Sequence, residues 1–96
     1  MEFYYFTEQA EQDLVAITDF TLATWGSNQA TRYLDELEVT AQVLAENPAL
    51  GAVRDDLYIG LRSFPYQAHI IFYFIQVDGI VITRVLHSSV DIVRYF

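Results

Sequence analysis

The 96-residue chain has no cysteine and no lysine. Without cysteine it can form no disulfide framework and do no thiolate chemistry. Without lysine, its five positive side chains are all arginine, set against thirteen carboxylates, and the formal net charge is −8. No apolar run approaches the length of a membrane span: the longest, Ile70 to Ile75, is far too short. The opening MEFYYFTEQAEQ lacks the basic start and apolar core of a secretion signal, so a cytoplasmic location is the expectation. No repeat, low-complexity tract or linker divides the chain.

What is present is apolar and aromatic. At 53% hydrophobic and 16% aromatic the composition is that of a folded chain, and the length suits a single domain over residues 1–96. The charge is uneven. Residues 1–56 hold eleven acids and two arginines, Arg32 and Arg54. Residues 57–96 hold two acids, Asp78 and Asp91, three arginines and both histidines. The acidic half repels nucleic acid and suits a basic partner, while also keeping an apolar protein in solution.

The pattern reads as β-αα-βββ. Glu2–Phe6 is a short aromatic strand. Thr7 can cap a helix whose first turn holds Glu8 and Glu11. Ala10, Leu14, Ile17, Thr21 and Trp25 then fall on one helical face, and Gly26 stands where a left-handed residue stops the helix. Ser27 can cap a second helix with the stripe Ala30, Leu34, Leu37, Ala41 and Leu44, ended by Asn47-Pro48. The short connection predicts an antiparallel helical hairpin. Residues 48–60 read as a loop. Leu61–Gln67 is a strand that Pro65 confines to an edge or a bulge. His69–Gln76 is apolar on both faces and so central. Asp78-Gly79 predicts a type I′ turn into a last strand ending at His87. Ser88 or Ser89 then caps a tail or short helix.

These elements predict an α+β fold, a twisted antiparallel sheet with the helical hairpin packed on one face and the other face open. Alternation puts His69, Ile71, Tyr73 and Ile75 on one face of the central strand. On the last strand it groups Ile80, Ile82, Arg84 and Leu86 on one face, and Val81, Thr83, Val85 and His87 on the other. Arg84 and His87 therefore point apart.

Little here suits catalysis. His87-Ser88-Ser89 and Asp91 supply the residue types of a hydrolase triad, but triad members normally come from separate elements. Two histidines eighteen apart match no usual metal spacing. A ribonuclease surface needs a cationic phosphate site, which a chain without lysine supplies poorly. A strand-borne arginine must meet a carboxylate or face an open surface. Asp91 is a candidate internal partner for Arg84 or for His87. Trp25 reads as packing at the hairpin tip.

The segments DLVAITDFTLATWGSNQATRYLDEL, LAENPALG, GLRSFPYQAHIIFYF and ITRVLHSSVDIVRYF resemble the ParE-type toxins of the RelE/ParE superfamily, in order and over nearly the whole chain. The resemblance implies a bacterial type II toxin without enzymatic activity, metal or cofactor. It implies inhibition of DNA gyrase, through its A subunit, by protein binding, with no direct contact to nucleic acid or membrane. It also implies a ParD-like antitoxin whose disordered tail orders on the toxin. Arg62, His69, Tyr73, Arg84, His87 and Asp91 are the target-binding candidates. Asp13, Asp19, Trp25, Asp35, Glu36 and Glu38 are the antitoxin-binding candidates. Two other readings use the same residues: a ribosome-dependent mRNA endonuclease of the RelE branch, and a binding module without poison activity. Val90 replaces the family's usual methionine, and the ending Arg94-Tyr95-Phe96 replaces its usual Arg-His-Leu.

Overall fold

The computed structural model describes residues Glu2–Phe96. Strand β1 (Phe3–Phe6) leads into helices α1 (Glu8–Trp25) and α2 (Ser27–Glu46). A 3₁₀ turn (Pro48–Leu50) and a two-residue strand β2 (Ala52–Val53) follow. The meander β3 (Leu61–Tyr66), β4 (His69–Gln76) and β5 (Gly79–His87) and a last 3₁₀ turn (Ile92–Tyr95) complete the chain. The sheet order is β1-β5-β4-β3-β2, with β4 central as its two apolar faces require. The expected α+β fold is present. The sheet is mixed, however, because β1 runs parallel to β5. Strand β2 lies within the stretch expected to be loop and pairs with β3 through Ala52 and Val53. Among the described residues no helix is long and apolar enough to cross a membrane.

Local signals place the helices. Thr7 Oγ1 accepts the Ala10 N–H at 3.1 Å, and Glu8 and Glu11 sit in the first turn. Gly26, at φ 91°, ends α1 and is also the N-cap of α2. Ser27 is therefore already helical and makes no cap bond, contrary to the sequence reading. The hairpin buries Ala10, Ile17 and Thr21 from α1, and Tyr33, Leu37, Ala41 and Leu44 from α2. These pack on Ile71, Tyr73, Ile80, Ile82 and Val85 of the sheet.

Three expectations about the sheet are corrected. First, alternation along β5 breaks. Tyr73 faces Ile82 and Phe72 faces Arg84, so Thr83 is the extra residue of a bulge. Ile82 and Val85 both reach the helix side, and Arg84 leaves the face it was grouped on with Ile80 and Ile82. Arg84 and His87 still point apart, since His87 lies opposite His69 on the helix side. Second, the β4–β5 turn is Val77-Asp78, one residue earlier than expected, and neither residue has positive φ. Third, the outer face is not all open. Val90, Ile92 and Phe96 of the C-terminal segment cover Leu61, Phe72 and Leu86, with the Phe72 and Phe96 rings 4.9 Å apart.

Tyr73 staples the loop after α2. It is fully buried, donates to the Pro48 carbonyl at 2.7 Å and accepts the Gly51 N–H at 2.8 Å. A Cβ on Gly51 would overlap that hydroxyl. Tyr73→Phe removes both partners and leaves two polar groups unmatched. It is expected to cost about 1–3 kcal/mol. Thermal melting checks this, and a loss below about 0.5 kcal/mol would contradict the staple.

Candidate functional site

Strand β1 stops at Phe6, opposite Ile82. Beyond that point β5 has no strand neighbour on this side among the described residues, and its backbone edge needs another partner. Asp13, on α1, supplies it. One carboxylate oxygen accepts the Val85 N–H at 3.0 Å. The same carboxylate takes the Arg84 guanidinium in a two-pronged pair at 2.8 and 2.9 Å. Both side chains are largely buried, at 17% and 14% exposed. The forked geometry favours arginine over any other cation here.

Next to this pair lies a groove of about 450 Å³ between the hairpin and the ends of β4 and β5. Helix α1 lines it with Ile17, Phe20, Thr21 and Trp25; Tyr33, His69, Val85 and His87 form the far wall. Phe20 and Trp25 are 66% and 70% exposed, an unusual state for side chains of that size. At one end the Tyr33 hydroxyl meets His69 Nδ1 at 2.6 Å, and the His69 and His87 rings meet edge-on, 5.3 Å between centroids. Burial foremost, then the neighbouring His87, lowers the His69 pKa, partly offset by Asp13.

That shift has a sign. Folding favours neutral His69, so its contribution is full above the ordinary histidine pKa and is lost as the pH falls through the lowered folded value. His69→Gln should therefore flatten part of the stability loss between pH 7 and 5. Denaturant unfolding of the two chains at both pH values measures it; identical pH slopes would contradict the assignment.

The six target-binding candidates do not form one surface. Arg62 donates to the Gly51 carbonyl at 2.8 Å, and Tyr73 is inside the core. Arg84 pairs with Asp13, not with Asp91 as the sequence suggested. Asp91 is exposed, precedes the last 3₁₀ turn and makes no side-chain cap bond there. The His87 Nδ1 partners are the backbone N–H and hydroxyl of Ser89, not Asp91. Arg62 and Tyr73 are cross-strand neighbours that both bond Gly51, and His69 and His87 are neighbours on the helix side. Of the antitoxin-binding candidates, Asp19, Trp25, Asp35, Glu36 and Glu38 are exposed on the hairpin, while Asp13 is engaged within the fold. Trp25 is not buried tip packing; it opens onto the groove. Phe20 and Tyr33 were missed. Phe20, like the exposed Val15 and Leu22, is an apolar residue off the buried stripe of α1, and that is a readable signal of a second contact face.

Residues 4–92 match the family described as ParE toxin of type II toxin-antitoxin system, parDE. The chain belongs to the ParE toxin family. Toxin ParE1 of Caulobacter vibrioides is 34% identical over 91 residues, covering 95% of this chain and 94% of that protein. Toxin ParE1 of Mycobacterium tuberculosis is 34% identical over 92 residues, with the same coverage. A chain from the structure titled "Chromosomal ParDE TA system from P. aeruginosa" superposes with a TM-score of 0.76 at 21% identity. That likeness covers 91% of this chain and 96% of the other, and it shows a shared fold. Membership accounts for the element order and for the span of the resemblance seen in the sequence.

Proposed function

We propose that this ParE-family chain is the toxin of a type II pair, that its groove and hairpin seat a ParD-like antitoxin, and that it inhibits DNA gyrase, through the A subunit, by binding rather than by catalysis. The observation that carries the antitoxin reading is the groove: exposed Phe20 and Trp25 above a wall of Val85 and Tyr33, beside an acidic hairpin face. An amphipathic segment bearing lysine or arginine matches both features. Its ordering cost is repaid by burying the two aromatics.

Binding without catalysis fits the arginines. Arg62 and Arg84, which with the strand histidines and the shared fold motivate an mRNA-cleaving reading, both bond internal acceptors. The two-pronged Asp13 pair leaves Arg84 poorly placed to take a phosphate. Induced expression tests the reading. Growth should arrest with a DNA-damage response, and co-expression of the neighbouring antitoxin frame should restore it. Trp25→Ala should keep the arrest but weaken rescue. Unimpaired growth would instead favour a binding module without poison activity, and codon-specific cuts in translated messages would favour the RelE-type endonuclease.

A further inference from the structure

We propose that Arg84 couples the groove on the helix side of the sheet to the C-terminal segment on the other side, so that a basic occupant of the groove loosens that segment. The proposal rests on the reading of the groove as a docking site. It adds a regulated element, residues 90–96, that lies outside the groove.

The segment is held in an unusual way. Its described backbone bonds are local: Val90 N–H to His87, Arg94 N–H to Asp91 and Phe96 N–H to Val93. Among the described residues no strand pairing fastens it to the body. Side chains do so instead. Val90, Ile92 and Phe96 rest on Leu61, Phe72 and Leu86. Tyr95 lies against the Arg84 guanidinium, whose central carbon is 4.9 Å from the ring centroid. That is cation–π range.

Arg84 is thus shared. Its edge, Nε and Nη2, holds Asp13, while its face holds Tyr95. A planar guanidinium can satisfy both only in one orientation, and the two-pronged Asp13 pair sets that orientation. Asp13 itself lines the groove. A lysine or arginine arriving there competes for the carboxylate. Once Asp13 turns to the newcomer, Arg84 loses the bonds that fix its plane, and Tyr95 loses its partner. The segment then has two states, docked and loosened, and both sites bias the same equilibrium. Coupling is reciprocal, so a docked segment also disfavours a basic occupant.

Carboxypeptidase release of Phe96 from the intact chain reads the loosened state, each rate normalised to a free peptide of the same ending. Asp13→Asn should raise release about tenfold, provided the variant still melts cooperatively above the assay temperature. Tyr95→Leu should do the same from the other end. The double variant should release no faster than the faster single one, because both break one linkage. Asp13→Glu, which keeps the charge, should restore part of the protection. Should Asp13→Asn fail to fold, Arg84→Lys serves: it keeps the charge, loses the fork and should release Phe96 faster. A folded Asp13→Asn or Arg84→Lys chain that releases Phe96 at the original rate would overturn the proposal, as would single effects that simply multiply. The assay contains no antitoxin, so its outcome is separate from that of the co-expression test.

Discussion

Gly79→Ala is expected to detach β1 and to lower the unfolding free energy by about 3–4 kcal/mol. Gly79 opens β5 at φ 146°, a region that L side chains rarely adopt. An added Cβ would overlap the backbone of Phe3, which runs directly against it. Relief requires β1 to move away. That breaks the Phe3 N–H bond to the Asp78 carbonyl at 2.7 Å and the Tyr5 hydroxyl bond to the Asp78 carboxylate at 2.9 Å. It also withdraws Tyr4 and Phe6 from the core. At about 4–8 °C per kcal/mol for a domain of this size, the melting temperature should fall by at least 12 °C or so. Gly60→Ala is the control. Gly60 also has positive φ, 85°, but a Cβ there meets only the Phe74 ring at ordinary distance. It should cost about 1 kcal/mol. Equal losses in the two variants would show that the close approach of β1 does not matter.

Asp13→Ala is expected to cost about 3–5 kcal/mol. The change leaves a largely buried guanidinium without its carboxylate and the Val85 N–H without an acceptor. Most of the loss is that of a charge stranded away from water, not the attraction itself. Two consequences distinguish this from a surface pair. High salt should reduce the loss only slightly, because a buried pair is poorly screened. Replacing both partners with apolar residues, Asp13→Leu with Arg84→Met, should recover much of the stability. Denaturant unfolding of the three variants measures both, and a loss under about 1 kcal/mol for Asp13→Ala would place the pair among ordinary surface bridges.

The same pair shows where sequence reading reaches and where it stops. Thr7, Gly26 and Asn47-Pro48 act through the chain immediately around them, so the helix limits were legible. Residues His69–Gln76 are apolar on both faces, and their central place followed. The partner of Arg84 was not legible in this way. Asp91 is seven positions along and Asp13 is seventy-one away, and only the end of β1 decides that the β5 edge needs a carboxylate from α1. The bulge at Thr83 is likewise a property of two strands together. Strict alternation along one strand cannot show it, so Arg84 was assigned to the wrong neighbours. The cover over the outer face was missed for a related reason. Val90, Ile92 and Phe96 look unremarkable in a short tail until Leu61, Phe72 and Leu86 are seen to lie beneath them. In the groove, Trp25 was singled out but read as packing; Phe20 carried the plainer signal, an exposed aromatic residue beside the buried stripe.

The central claim is that this ParE-family chain acts by binding gyrase. The direct measurement is supercoiling of relaxed plasmid by purified gyrase with ATP, in the presence of increasing amounts of the purified chain. The account predicts that supercoiling falls as the chain is added, that cleaved plasmid accumulates, and that the cognate antitoxin restores activity. Supercoiling that continues unchanged at a large molar excess of folded chain would contradict it.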